Sequence, residues 1–281
     1  MLIELAIGDA YGAGFEYVAD RIVRTQNNLS TYLKHPRHDI GGGRYTDDTQ
    51  MTLAIAEAML SDEAWTQTHL ARRFVEVFKR DPRAGYAGRF YAFLQEIESG
   101  DELLARIINN SDKSGAAMRA CPIGFYPTIA QVLDYCQIQA AITHNTPHGI
   151  LAAQAAALAA HFCIYRLGSL TQLPEFLSDL LGYDWQQPWQ GKVGAAGLDS
   201  VHAAITALSQ QHDLARLLKA CIAYTGDVDT VATIALGAGS MHPDMQHNLP
   251  QQLFDGLENG TYGRNYLQTL DQQLLTFRTV S

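Results

Sequence analysis

The chain has 281 residues, of which 47% are hydrophobic, and its formal net charge at pH 7 is -9. The hydrophobic share is typical of a globular protein with a sizeable core, and the acidic balance with scattered Lys and Arg argues against a nucleic-acid-binding surface. The four cysteines lie far apart and the N-terminus lacks the pattern of an export signal, so we expect reduced thiols in a cytoplasmic protein.

Helical spacing dominates the chain. Apolar residues recur every three or four positions almost throughout, and sustained alternation is nearly absent. The patterns predict helices over residues 47–60, 63–80, 86–98, 128–142, 147–167, 199–209, 213–224, 229–239 and 264–279. The least regular stretches are 25–46, 109–127 and 182–198, and long irregular segments in a compact domain are often functional. We therefore predict one compact all-α domain over residues 1–281.

A pair of adjacent aspartates opens the first of these helices. In GRYTDDTQM, residues 43–51, Asp47 and Asp48 follow Thr46 directly. Threonine is a good N-cap, and acidic side chains in a first turn interact favourably with the helix dipole. Capping alone therefore explains this motif about as well as a functional site does.

Two loops before residue 128 contain candidates for ligand contact. In DPRAGY, Gly85 and Tyr86 could line a pocket, although an ordinary turn explains them equally well. In SGAAMR, a glycine would let backbone amides approach a diphosphate. Ser114, Gly115 and Arg119 are therefore candidate substrate contacts, with pairing to a structural carboxylate as the alternative for Arg119.

The segment THNTPHG contains His144 just before the most apolar helix. A lone histidine is more often structural than functional. His148 does not complete an i,i+4 metal pair, because a proline and a glycine break the helix at this point. The apolar stretch 149–165 is short for a bilayer and mostly alanine, so we expect a helix buried in a soluble protein without a membrane partner.

A second acidic motif, YTGDVDTVA, opens the helix over 229–239. Asp227, Asp229 and Thr230 repeat the composition of the first motif, and two such helix starts are less expected from capping alone. Carboxylate and hydroxyl oxygens suit hard cations such as Mg²⁺ or Mn²⁺. Because four carboxylates brought together would repel one another unless cations neutralised them, the two motifs predict a two-metal site.

Four stretches, in this order, resemble the ADP-ribosylglycohydrolase family, which includes the dinitrogenase reductase-activating glycohydrolases. GDAYGAGFE resembles the family's GDALGxPxE segment, and YTDDTQM its first metal motif. SGAAMRACPIGFY and THNTPHG are similar to its GAAMR and THxxP segments, and GDVDTVATIALGAG to its last motif. The chain departs from the family pattern at Thr225 and Val228, where Gly and Thr are usual, and in the loop before Gly115, which lacks the usual glycines.

The resemblance implies an all-helical fold around a centre of two divalent cations, Mg²⁺ or Mn²⁺. The implied metal ligands come from the two acidic motifs: Thr46, Asp47, Asp48, Asp227, Asp229 and Thr230. Glu16, which closes the first family segment, and Asp48 are the candidate catalytic carboxylates, because breaking a ribosyl C1 bond with water requires proton transfer. The THxxP context favours His144 as a contact to the ribose or a phosphate.

The implied substrate is ADP-ribose joined to an acceptor, most familiarly an arginine side chain of a protein. A pocket mouth drawn from Asp20, Asp81 and Tyr86 would suit such a cationic acceptor. Serine-linked or small-molecule ADP-ribose conjugates are alternative substrates. A catalytically silent ADP-ribose-binding protein and a metal-dependent phosphohydrolase are alternative functions.

Overall fold

Fourteen α-helices build the part of the chain that the computed structural model describes, residues 1–280, with side chains to residue 278. They are α1 (Leu2–Ala13), α2 (Asp20–Gln26), α3 (Asp47–Met59), α4 (Gln67–Arg80), α5 (Gly88–Glu96), α6 (Gly100–Arg106), α7 (Ile129–Ala141), α8 (Pro147–Tyr165), α9 (Leu173–Leu181), α10 (Gly197–Gln210), α11 (Leu214–Ala223), α12 (Val228–Gly239), α13 (Gln251–Gly256) and α14 (Arg264–Val280). Short 3₁₀ turns lie at Ser114–Ala116, Cys121–Phe125 and Leu170–Gln172. Residues 1–280 contain isolated β-bridges but no β-strand, so the predicted all-α class is confirmed.

Helices α1 and α12 form the centre of the molecule and run antiparallel. Every residue of α12 is buried, as is every residue of α1 except the partly buried Glu4. Two glycines of α1 allow the backbones to touch: a Cβ added at Gly8 would lie 2.6 Å from the carbonyl oxygen of Ala232, and one at Gly12 would collide with Asp229 Cα. The C-terminal end of α1 is thereby fixed beside the N-terminal end of α12.

Helix α8 packs against α7, α10, α12 and the 3₁₀ turn Cys121–Phe125. It is long and apolar enough to cross a membrane, with a mean hydropathy of 1.3, but 72% of its most apolar window is buried inside the protein. Its many alanines permit close approach, and a Cβ added at Gly124 would lie 2.7 Å from the amide nitrogen of His161. The expectation of a buried helix over this stretch is confirmed.

All the helices predicted from apolar spacing are present, with shifted ends. Helix α4 begins at Gln67 rather than at 63, because Thr66 caps it by accepting a hydrogen bond from the backbone N–H of His69. Helix α8 ends at Tyr165, because Arg166 adopts a left-handed conformation with φ of 57°.

Five helices were missed by the spacing argument: α1, α2, α6, α9 and α13. Helix α1 is buried on all sides and therefore lacks an amphipathic stripe, which is the signal that apolar spacing detects. The others are short, between six and nine residues. Segments 27–46 and 182–196 lack helices, as predicted, and 109–127 contains only 3₁₀ helices, turns and two isolated bridge residues, Asn110 and Lys113.

Candidate active site

Asp9 on α1 holds the start of α3. Its carboxylate oxygens accept hydrogen bonds of 2.6–3.1 Å from the backbone N–H groups and the hydroxyls of Thr46 and Thr49. Thr46 is the N-cap of α3, and its hydroxyl oxygen accepts a bond from the N–H of Asp48. Capping is thus performed by Thr46, which leaves both aspartate side chains for other partners. Sequence reasoning missed Asp9, although a carboxylate inside a nearly apolar helix is a signal for such a role.

The start of α12 is set by an unusual turn. Thr225 and Gly226 both have positive φ, of 62° and 96°, and a Cβ added at Gly226 would collide with the carbonyl oxygen of Val193. Asp227 is the N-cap of α12, but its side chain makes no capping hydrogen bond. Its carboxylate instead accepts a bond of 3.1 Å from the hydroxyl of Ser200. Capping therefore does not account for the second acidic motif either.

The two acidic motifs and Glu16 converge on one region. Single carboxylate oxygens of Glu16, Asp227 and Asp229 all lie within 4.8 Å of one another. The side chain of Thr230 lies close enough to the Asp48 carboxylate to lower its pKa against the larger effect of burial, so the start of α12 lies beside the start of α3. The structure thus brings the predicted ligands of both motifs together at the meeting point of three helix ends.

Two carboxylate oxygens in this cluster lack any donor. Asp48 Oδ1 and Asp229 Oδ1 are buried, and no described residue donates a hydrogen bond to either. A buried acceptor without a donor costs about 1–3 kcal/mol, a cost that a bound cation would remove. Because all the candidate ligands in the cluster are carboxylate and hydroxyl oxygens, they fit a hard divalent cation such as Mg²⁺ or Mn²⁺.

The electrostatics of the cluster agree with this fit. Burial raises the pKa of Asp47, Asp48 and Asp229 well above the ordinary aspartate value, and the charges of neighbouring carboxylates raise it further. Burial also raises the pKa of Asp227 to about 6. The folded protein therefore holds negative charge here only at a cost, and a cation would offset that cost.

Glu16 is held by two basic residues that sequence reasoning missed. His35 Nε2 and Arg37 Nη2 each lie 2.6 Å from a Glu16 carboxylate oxygen. His35 Nδ1 accepts hydrogen bonds from the N–H groups of Arg37 and His38, so the proton of the neutral imidazole lies on Nε2 and is donated to Glu16. Burial raises the pKa of Glu16, but the bonds from His35 and Arg37 outweigh burial and lower it overall. The only sequence signal was the run of polar residues KHPRHD inside an irregular segment.

The comparisons with known proteins agree with this geometry. The sequence model of the ADP-ribosylglycohydrolase family matches residues 1–280. The chain belongs to the ADP-ribosylglycohydrolase family. It is 26% identical over 306 residues to the ADP-ribosylhydrolase ARH3 of Xenopus tropicalis, which covers 87% of each chain. An uncharacterized protein of Archaeoglobus fulgidus is 24% identical over 294 residues, covering 97% of this chain and 94% of the relative.

A partial match and a solved structure extend these similarities. The ARH3 of Mus musculus is 33% identical over 147 residues, which are 50% of this chain and 39% of the mouse protein. A solved structure described as an ADP-ribosylglycohydrolase-related protein complex matches the fold with a TM-score of 0.71 at 18% identity, covering 99% of this chain and 95% of its own. The predicted family, fold class and hydrolase class are confirmed.

Gly85 and Tyr86, the two predicted pocket residues of the loop before α5, lie in different environments in this ADP-ribosylglycohydrolase. Gly85 has a φ of 120°, and an added Cβ would collide with Asp47 Oδ1, so its backbone lies directly against the first acidic motif. Tyr86 is only 4% exposed, and its hydroxyl donates a 2.7 Å hydrogen bond to Gln50 Oε1. Of these two predicted pocket residues, the structure places Gly85 at the site and Tyr86 in the core behind it.

Ser114, Gly115 and His144 lie together beside the second acidic motif. The side chain of Ser114 lies close enough to Asp227 to lower the pKa of that carboxylate against the larger effect of burial. A Cβ added at Gly115 would lie 3.0 Å from His144 Cε1 and 3.3 Å from His144 Nε2. The N–H of Asn145 donates to the carbonyl oxygen of Asn109 at 2.6 Å, which ties the two loops together. The structure therefore groups these three predicted substrate contacts next to the candidate metal ligands.

Arg119 does not reach this surface, which corrects its assignment as a substrate contact. It is 1% exposed, and its guanidinium lies 4.4 Å from the ring centre of Phe74. Its nitrogens donate to Gln139 Oε1 at 2.6 Å, the Gln139 carbonyl oxygen at 3.2 Å and Thr143 Oγ1 at 2.9 Å. These partners are neutral, so the alternative of a structural ion pair does not hold either. Burial lowers the pKa of Arg119 to about 9, which leaves it protonated at neutral pH.

The predicted acidic mouth is not assembled. Asp81 accepts a 2.7 Å hydrogen bond from the guanidinium of Arg83, which neutralises it, and Tyr86 is buried. Tyr17, the residue next to Glu16, has cationic neighbours instead. The Arg37 guanidinium lies 4.8 Å, and the Lys192 ammonium 5.3 Å, from the centre of its ring. Of these two cations, Arg37 is paired with Glu16, so Lys192 is the cation beside Tyr17 that Glu16 does not neutralise, while the buried side of Glu16 faces Asp227 and Asp229.

Proposed function

We propose that this ADP-ribosylglycohydrolase uses water and a centre of two Mg²⁺ or Mn²⁺ ions to cleave the ribosyl C1 linkage of ADP-ribose conjugates. The observation that carries the proposal is the convergence of two acidic motifs that leaves Asp48 Oδ1 and Asp229 Oδ1 buried without a donor. A silent binding protein would have no need for so many converging carboxylates, whose mutual repulsion costs stability.

The proposed ligands are the oxygen-bearing side chains of the two motifs: Thr46, Asp47, Asp48, Asp227, Asp229 and Thr230. Divalent cations held there would supply positive charge, orient the ribose hydroxyls and lower the pKa of a bound water. Asp9 keeps Thr46 in place by accepting its hydroxyl and backbone hydrogen bonds. Such supporting bonds hold ligands in the orientation that binding requires.

Glu16 is the better candidate for the proton acceptor. The bonds from His35 and Arg37 lower its pKa and therefore keep it ionised at neutral pH. An ionised carboxylate at the edge of the cluster can take a proton from the water that attacks C1. Asp48 is buried among like charges with a raised pKa and an unpaired oxygen, which suits a metal ligand. We therefore assign proton transfer to Glu16 and ligation to Asp48.

The remaining contacts suit the anionic part of the substrate. The imidazole of His144 lies where a Cβ at Gly115 would stand, so the absence of a side chain at Gly115 lets His144 approach the backbone of this loop. A diphosphate or ribose oxygen placed here would lie between His144 and the ligands near Asp227. This placement puts the ADP-ribose moiety along the loop 109–116 and the scissile bond near Glu16.

For the acceptor, the structure favours an uncharged, O-linked group such as serine over the arginine that the family resemblance suggested. The reason is the Lys192 ammonium beside Tyr17, together with the pairing of Asp81 with Arg83; Arg37 does not add to it, because it is itself paired with Glu16. An arginine guanidinium would be repelled by Lys192, whereas a serine hydroxyl or a small neutral group would not.

One assay tests both levels of the proposal. The protein with Mg²⁺ or Mn²⁺ is incubated with arginine-linked, serine-linked and O-acetyl-linked ADP-ribose, and released ADP-ribose is measured. Turnover of at least one conjugate is expected, and tight ADP-ribose binding without turnover of any would contradict the hydrolase. Faster turnover of arginine conjugates that Lys192→Gln leaves unchanged would overturn the assignment of an uncharged acceptor.

A further inference from the structure

A chain of hydrogen bonds connects the buried Arg119 to the imidazole of His144. Arg119 Nη2 lies 2.9 Å from Thr143 Oγ1, and Thr143 Oγ1 lies 2.7 Å from His144 Nδ1. All three side chains are at least 90% buried. The chain ends at Gly115, where the bare backbone faces His144 Cε1 and Nε2.

The protons in this chain can be assigned from donor and acceptor chemistry. A guanidinium only donates, so the bond between Arg119 and Thr143 must use a lone pair of Thr143 Oγ1. The threonine hydroxyl has a single proton of its own, and among the described residues His144 Nδ1 is the acceptor it reaches. Nδ1 therefore accepts, and the proton of the neutral imidazole lies on Nε2.

A second proton on His144 would disrupt this chain. Protonated Nδ1 would turn a second donor towards Thr143 Oγ1; the second lone pair of that oxygen could accept it, but the hydroxyl proton would then lose His144 Nδ1 as its acceptor. Burial, followed by the charge of Arg119, lowers the pKa of His144 to about 3. The hydrogen-bond chain and burial both keep His144 neutral at every pH at which the protein would be assayed.

The protonated Nε2 faces the candidate site. No described residue hydrogen-bonds His144 Nε2, and a Cβ added at Gly115 would lie 3.3 Å from it. Ser114, the preceding residue, lies close enough to Asp227 for its side chain to lower the pKa of that carboxylate against the larger effect of burial. The N–H at Nε2 is therefore a donor without a partner at the border of the proposed metal centre.

We propose that Arg119 and Thr143 are positioning residues that fix His144 as a neutral Nε2–H donor for an oxygen atom of the ligand. The identity of that ligand, the phosphate or ribose of an ADP-ribose conjugate, rests on the proposed function. The tautomer itself does not, because it follows from bonds inside the protein.

The tautomer is measured directly by long-range ¹H–¹⁵N correlation NMR on protein labelled at histidine, with the His144 signals assigned from their loss in His144→Gln. The wild-type protein is expected to show protonated Nε2 and unprotonated Nδ1 from about pH 8 to about pH 5, instead of titrating near 6.5. A protonated Nδ1, or an ordinary titration, would overturn the proposal before any variant is made.

Three variants test the positioning role. Thr143→Val removes the hydroxyl at nearly constant shape. It is expected to let the imidazole proton of His144 occupy either nitrogen, and to raise the Kd for ADP-ribose about tenfold, the effect of one lost hydrogen bond. Thr143→Ser keeps the hydroxyl and should restore both readouts. Thr206→Val removes another buried hydroxyl, which accepts a 2.9 Å bond from the N–H of Trp189, and should change neither.

The outcomes separate this inference from the proposed function. A Thr143→Val protein whose His144 spectrum equals that of wild type would refute the role of Thr143. The expected tautomer in a wild-type protein that binds no ADP-ribose would support the internal assignment and contradict the proposed ligand.

Discussion

The two ends of the candidate site are stabilised in opposite ways. At the carboxylate end, defined by Asp47, Asp48, Asp227 and Asp229, like charges crowd together, burial raises their pKa values and two oxygens lack donors. At the imidazole end, defined by Arg119, Thr143 and His144, each internal bond has one donor and one acceptor. Protonation or a bound cation would relieve the repulsion at the first end, whereas the second is already ordered by its internal bonds.

This difference suggests a division of labour. A pre-ordered donor loses little conformational freedom when it binds a ligand, so the imidazole end suits recognition of an invariant part of the substrate. A strained cluster of carboxylates binds cations strongly because binding relieves repulsion. Glu16 borders the carboxylate end, within 4.8 Å of oxygens of Asp227 and Asp229, but unlike them its charge is held by His35 and Arg37.

The largest effect is expected from Asp229→Asn. Removing this ligand should abolish divalent-cation stabilisation and lower turnover more than ~10²-fold, while the metal-free protein should become more stable at neutral pH because one like charge is gone. Thermal unfolding with EDTA and with Mg²⁺ or Mn²⁺ measures both effects. An Asp229→Asn variant that keeps the cation-dependent shift in Tm would contradict the claim that cations bind at the carboxylate end.

Glu16→Gln separates proton transfer from binding. The amide keeps the shape of the side chain but cannot accept the proton, so hydrolysis should slow by at least ~10²-fold while ADP-ribose still binds at the imidazole end. Isothermal titration and an ADP-ribose release assay measure the two quantities. Loss of binding together with turnover would show that Glu16 shapes the site and does not act as the base.

As the pH rises, the unfolding free energy of the metal-free wild-type protein should decrease relative to that of the metal-free Asp227→Asn variant. The pKa of Asp227 is about 6 in the folded protein and 3.8 ordinarily, so below 3.8 its contribution to stability is complete. As pH rises towards 6 and beyond, ionisation favours the unfolded chain, and up to about 3 kcal/mol of that contribution is lost.

This loss is measured as the difference in unfolding free energy between wild type and Asp227→Asn from about pH 4 to about pH 7, in EDTA; the difference includes the relief of Asp48 and Asp229, whose pKa values the Asp227 charge raises. Excess Mg²⁺ should remove the decline. A difference that stays constant with pH would show that the carboxylate end carries no electrostatic strain.

The smallest effect is expected at the turn before α12. Thr225 has a φ of 62°, which costs a β-branched residue about 1–3 kcal/mol, and Thr225→Gly should recover at most about 1 kcal/mol after the greater entropy of unfolded glycine is subtracted. Chemical denaturation measures this gain. Gly226→Ala is the matched control and should destabilise the protein, since its added Cβ would collide with Val193 O.

Much of the site could be predicted because its signals are local in sequence. Helix starts show themselves by a cap residue and the onset of apolar spacing, and the two acidic motifs consist of oxygen ligands whatever the fold around them. The family resemblance set these motifs in one site, and the structure brings Asp48 and Thr230 close together as that reasoning requires. Gly115 and His144, which were predicted as substrate contacts, lie beside each other in the structure, and their role stays a prediction.

Other features depend on contacts between distant segments, which no local pattern reports. Only packing buries Arg119 against Phe74, and only packing turns the segment 35–38 towards Glu16. Helix α1 escaped notice because burial on every side erases the amphipathic pattern.

The sequence by itself determined the helical class, the two acidic helix starts and the hard-cation chemistry of their side chains, because spacing and ligand type are properties of short segments. The tertiary structure alone decided which carboxylate remains ionised, which residues stand behind His144 and what charge surrounds the site. These depend on desolvation and on long-range hydrogen bonds: the pKa of Glu16 is lowered by His35 and Arg37, about twenty residues away in sequence, and that of Asp227 is raised by burial between helices from both ends of the chain.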